Sequence, residues 1–118
     1  MTESETSIPR RTPGPYNFRV QRMEDIHDRE AGRPDVPHRH NYYTAIWVRE
    51  GAGRHIIDFH TYALETDAVF FVSPGQVHQV LTDNRPRGWV ITFSKEFLQH
   101  NHISEDFLLE IDLFNHFD

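Results

Sequence analysis

His38, Arg39 and His40 form an HxH triplet that follows Gly32 at a spacing of six and leads into the apolar stretch Tyr42-Tyr43-Thr44-Ala45-Ile46-Trp47-Val48. On an extended strand successive side chains alternate faces, so His38 and His40 share one wall while Arg39 points away. The same alternation puts Tyr42, Thr44, Ile46 and Val48 in phase with the histidines, with Thr44 where a third ligand would stand. A further histidine, His78, follows the tight turn Pro74-Gly75, which places it to meet the HxH pair across a barrel. Three neutral imidazoles suit Zn²⁺, Fe²⁺, Mn²⁺ or Ni²⁺, and a facial set leaves positions open for a substrate. The other reading makes them polar pocket residues that hydrogen-bond a ligand or each other. Thr44 weighs against the metal, because a neutral hydroxyl is a poor replacement for a carboxylate that coordinates and offsets the cation's charge. No cofactor is therefore favoured; a divalent metal, if present, takes His38, His40 and His78 as ligands. His55, His60, His100, His102 and His116 lack ligand spacing to one another and read as surface or hydrogen-bonding residues.

The elements that must position these groups are strands. Residues 16–23 alternate well enough for a first strand, and residues 24–37, charged and broken by Gly32, Pro34 and Pro37, read as a loop leading to the histidines. Strand-like runs follow at 42–49, 55–60, 68–73, 77–82 and 88–94, each rich in Val, Ile, Phe, Tyr or Trp. Gly51-Ala52-Gly53, Pro74-Gly75 and Asn84-Arg85-Pro86 supply turn chemistry between them. Short strands so spaced point to a sandwich or barrel, and the lack of long helices between them disfavours a parallel α/β sheet. After Ser94 the period changes: Phe107, Leu108, Ile111, Phe114 and Phe117 recur at helical spacing behind an N-cap at Ser104 with Glu105 and Asp106. That apolar face either packs on the barrel or serves a partner or a continuation. Pro9, Pro13, Gly14 and Pro15 among Ser, Thr and Arg make residues 1–15 a flexible arm.

Side chains in phase with the histidines, namely Tyr42, Ile46, Phe59, Phe71, Trp89 and Phe93, could wall a hydrophobic pocket, with Thr44 and Arg54 as polar anchors; the competing reading for each aromatic is core packing. The candidate ligand contacts are thus His38, His40, Tyr42, Thr44, His78, Arg54 and Trp89.

Composition narrows the function classes. A chain of 118 residues with 37% hydrophobic content suits one domain with a single modest core. Twelve basic against eighteen acidic residues, a net charge of -6, argue against this segment holding a nucleic-acid backbone by itself. The absence of cysteine excludes disulfides and thiolate ligands. No stretch approaches the roughly 20 apolar residues of a membrane span, and the polar, acidic N-terminus is not signal-like, so a cytoplasmic protein without membrane contact is expected. No serine sits in a nucleophile elbow, and Gly51-Ala52-Gly53 lacks what a phosphate-cradling loop needs.

Gly32-x5-His38-x-His40-x3-Thr44-x6-Gly51 and Asp67-x5-Ser73-x-Gly75-x2-His78-x3-Thr82 resemble the two motifs of the cupin superfamily. The family pattern has Glu at the position of Thr44, Gly at Asp67, Pro at Ser73 and Asn at Thr82, so the fold resemblance is better than the metal-site resemblance. More specifically, PHRHNYYTAIWVREGAGRHIIDFHTYALE, AVFFVSPGQVHQV and GWVITFSKEFL resemble the N-terminal sensing domain of AraC-type bacterial transcription regulators, over about residues 16 to 118. The resemblance implies an all-β fold with a helical C-terminal tail, a cupin-like double-stranded β-helix (jelly-roll barrel) over 16–94, and a helical segment over 95–118 for dimerisation or inter-domain coupling. It implies a small-molecule effector, a homodimer, no enzymatic reaction, and DNA contact only through a C-terminal helix-turn-helix region that lies outside this chain. The rival reading is a metal-dependent cupin enzyme using His38, His40 and His78; a third is an oligomerisation module.

Overall fold

In the computed structural model, which describes residues 10–11, 17–31, 33–107 and 110, the period-two segments of the sequence become strands. They run β1 (Arg10–Arg11), β2 (Phe18–Arg22), β3 (His38–His40), β4 (Tyr43–Glu50), β5 (Gly53–Ile57), β6 (His60–Ala63), β7 (Val69–Val72), β8 (Val77–Thr82) and β9 (Arg87–Phe93), with helices α1 (Met23–Glu30) and α2 (Lys95–His100). The strands form a five-stranded sheet, β1-β3-β8-β5-β6, and a four-stranded sheet, β2-β9-β4-β7. Every pairing is antiparallel except β1 with β3. This is the expected jelly-roll barrel, in which consecutive strands alternate between sheets except at the β5–β6 hairpin.

Alternation along β4 and β9 gives the four-stranded sheet two apolar faces. On the inner face Ile46 and Val48 pack with Met23 and Leu64, joined by Phe70, Val80 and Val90. On the outer face Tyr43, Phe71 and Phe93 are covered by Leu98 of α2, with Phe97 and Ile103 beside it. Full burial of such side chains stabilises by about 1.5–3 kcal/mol each. Ser94 caps α2: its hydroxyl accepts the Phe97 N–H at 3.1 Å.

Three expectations about elements change. The expected loop 24–37 begins as α1, where Met23 and Ile26 turn inward at helical spacing, Glu24 and Asp25 suit the first turn and Arg29 the last. The expected strand 55–60 is a hairpin: Asp58 and Phe59 both take positive φ, 47° and 71°, as a two-residue turn requires. The expected helical segment 95–118 is interrupted at Asn101-His102, after which a helical turn restarts behind Ser104, whose hydroxyl accepts the Asp106 N–H at 3.1 Å. Leu108, Ile111, Phe114 and Phe117 of the expected stripe lie outside the described residues, as does the arm 1–15 apart from Arg10–Arg11. Among the described residues no helix is long and apolar enough to cross a membrane.

Candidate ligand-binding site

β3 and β8 belong to the same sheet, and their register sets His38 directly opposite His78. The Pro74-Gly75 turn makes this possible. Gly75 takes φ 86°, a conformation that favours glycine, and the Gln76 N–H closes the turn on Ser73 O at 3.2 Å. The Gly75 N–H also donates to the His40 carbonyl at 3.0 Å, tying the turn to β3. The Asp58 carboxylate then accepts the Val77 N–H and the Gln76 side-chain amide, both at 3.0 Å, which fixes the start of β8.

Inside the barrel His38, His40 and His78 are all buried, and one nitrogen of each lies within 4.8 Å of the others. His40 Nε2 and His78 Nε2 share a hydrogen bond of 2.8 Å, and His78 Nδ1 and His55 Nε2 share another of 2.9 Å. His38 Nδ1 donates to the Val36 carbonyl at 2.7 Å, so a proton sits on Nδ1. His55 is fully buried against the edge of Phe70, and burial, with a smaller contribution from His38, pushes its pKa down to about 4. Three imidazoles in this donor set fit a zinc-type cation by chemistry. In their present arrangement, however, the 2.8 Å contact between His40 and His78 is shorter than the roughly 3.3 Å that separates two nitrogens on a tetrahedral zinc. A cation would have to replace that hydrogen bond.

The histidines line one end of a cavity of about 660 Å³. Tyr42, just before β4, Thr44 and Ile46 of β4, Val80 of β8, and Val90 and Thr92 of β9 continue its wall, and α1 with residues 33–36 borders it on another side. Thr44 is 2% exposed and its hydroxyl has no protein hydrogen-bond partner. Five of the seven candidate contacts, His38, His40, Tyr42, Thr44 and His78, are brought together here. Arg54 and Trp89 are not. Arg54 is exposed on β5, one residue out of phase with buried His55, and Trp89 lies on the outer face of β9 opposite Trp47. The aromatic wall also dissolves, since Phe59 is exposed at its hairpin tip while Phe71 and Phe93 belong to the outer cluster under α2.

Sequence reasoning missed five contributors. His55 was assigned to the surface or to hydrogen bonding, and only the second holds; its period-two spacing from Ile57 is the signal for the inward face. Thr92, the register partner of Thr44, and the α1 residues Met23 and Ile26 carry comparable periodic signals. Asp35, whose carboxylate accepts the Val80 N–H at 3.0 Å and lies 3.5 Å from His38 Nδ1, carries none, because it sits in an irregular segment.

Residues 25–110 match the family described as the AraC-like ligand binding domain. The chain belongs to that family. The match runs from α1 to the helical turn after α2, so the AraC-like ligand binding domain contains the whole cavity lining apart from Gln21 and Met23. As a ligand-binding domain of this kind it points to a regulator rather than to an enzyme. No curated protein sequence gives a significant match to the chain.

Proposed function

We propose that this domain senses a small-molecule effector in the barrel cavity and serves as the sensing and dimerisation part of a cytoplasmic AraC-type transcription regulator. His38, His40, Tyr42, Thr44 and His78 form the polar end of the site in this reading. The observation that carries it is the cavity of about 660 Å³ with a buried hydroxyl, that of Thr44, which no protein group satisfies. Contact with DNA belongs to a helix-turn-helix region outside this chain. An effector alters the presentation of such a region only through its different affinity for two arrangements of the domain. Dimerisation is supported by Phe107, a large apolar side chain 55% exposed at the head of the stripe continued in sequence by Ile111 and Phe114.

The test is thermal unfolding of the purified chain against fractionated small-molecule extract from cells. A fraction that raises the melting temperature in wild type and loses its effect in His40→Ala supports the cavity as the effector site. Stabilisation unchanged in that variant, or none from any fraction, overturns it. For the dimer, sedimentation equilibrium should give twice the chain mass, falling to the monomer in Phe107→Asp.

The second reading, a metal-dependent cupin enzyme, draws on the three histidine nitrogens lying within 4.8 Å of one another. Elemental analysis of untagged protein tests it. Stoichiometric zinc, iron, manganese or nickel that disappears in His40→Ala would favour this reading over the plain sensor.

A further inference from the structure

The cavity differs in character from one end to the other, and that difference constrains what fits. All its permanently charged lining groups come from one stretch at the rim: Arg29, Glu30, Arg33 and Asp35. Each is engaged with the protein. Arg29 donates to the Gln21 side chain at 2.8 Å, and Arg33 donates to the Glu30 carbonyl at 2.9 Å with the Glu30 carboxylate 3.4 Å away. Asp35 holds the Val80 N–H. Deeper in, Met23, Ile46, Val80 and Val90 supply an aliphatic wall.

Apart from Asp35 beside His38, the deep polar end is uncharged in its fixed groups. His78 bonds both His40 and His55, and the hydroxyl of Thr44, which lines the same cavity, has no protein partner; Thr92 is its register neighbour on β9. Asp35 is already engaged with the Val80 N–H and with His38, so a buried ionic head group at this end would have to displace an existing contact to gain a counter-charge, a cost that grows steeply away from water. A polyhydroxylated molecule fares little better, because each of its hydroxyls needs a partner and the aliphatic wall offers none. A single hydroxyl matches Thr44, which can both donate and accept.

We infer that the effector is an uncharged amphiphile, with one hydroxyl-type head seated at Thr44 and an aliphatic body lying along Ile46, Val80 and Val90. The inference rests on the cavity being the effector site and specifies its chemistry.

Four probes separate the classes: 1-octanol, octanoate and octylamine, which share an eight-carbon chain, and glucose, each titrated calorimetrically into the intact chain at neutral pH. 1-Octanol should bind at least about tenfold more tightly than octanoate or octylamine, with no heat from glucose. Thr44→Val should weaken 1-octanol by about fivefold or more, whereas Thr44→Ser, which keeps the hydroxyl, should bind like wild type. Preference for octanoate, octylamine or glucose overturns the uncharged amphiphile, and so does 1-octanol binding that Thr44→Val leaves unchanged, which marks adsorption elsewhere. No response to any probe also overturns it. If the extract screen still yields a stabilising fraction sensitive to His40→Ala, only the ligand class has failed; if it does not, the cavity reading falls as well.

Discussion

Thr44 stands where a carboxylate stands in the related motif, and its hydroxyl is buried without a protein partner. Such a group costs stability, so Thr44→Val, nearly the same shape, should raise the stability of the ligand-free domain by about 1 kcal/mol, read from urea unfolding. A site that binds less well and folds better is the signature of a residue kept for a ligand. His55 gives a pH prediction whose sign follows from its lowered pKa. Between its unfolded value of 6.5 and its folded value of about 4 the unfolded chain binds the extra proton, so stability rises with pH through this window. His55 should therefore contribute about 3 kcal/mol of stability loss as pH falls from 6.5 to about 4. The measurement is urea unfolding across that range, in which His55→Gln should show a shallower decline than wild type. At this scale His38, His40, Thr44 and His78 were legible because period two and a Pro-Gly turn fix their facing. Arg54 and Trp89 were not, because their phase depends on where β5 and β9 start relative to Gly53 and Gly88.

The elements around the cavity are held by different means. α1 follows β2 directly and is tied to the β8–β9 connection by a two-pronged pair in which Arg85 donates to both Asp28 oxygens, at 3.0 and 2.9 Å. Both side chains are solvent-exposed, so the pair anchors locally and adds little to global stability. Arg85→Ala should speed amide hydrogen exchange in α1 selectively while leaving the urea midpoint within error. α2 depends on its cap, and Ser94→Ala should cost about 1 kcal/mol, measured by thermal unfolding, with Ser94→Asp recovering most of it. The barrel strands were readable from alternation and turn residues, whereas α1 was hidden because its charged residues and the Gly32, Pro34 and Pro37 that follow look like a loop when taken as one stretch. Asp67 is a related case: it replaces the glycine of the related motif yet keeps the backbone that glycine would take, φ 63°, which aspartate tolerates better than most residues.

Across the whole molecule the sheets are closed by partners distant in sequence: Phe18 with Phe93, His38 with His78, Thr44 with Thr92. Such non-local pairing makes folding slow, and refolding followed by stopped flow should fall in the millisecond-to-second range. The overall fold was legible because turn positions and strand periods agree on one topology. The cavity's chemistry was not, because it emerges only when β3, β4, β8 and β9 are brought around a common interior. Both tryptophans of the chain, Trp47 and Trp89, face each other across β4 and β9 on the outside of the barrel, 39% and 38% exposed. Their immediate neighbours Ile46 and Val90 look the other way, into the cavity. The indoles are thus optically blind to what fills the interior and touch only the far side of the same strands. A change in emission on adding an effector would report displacement of the wall itself, so one fluorescence titration separates occupancy, which is dark, from transmission, which is visible.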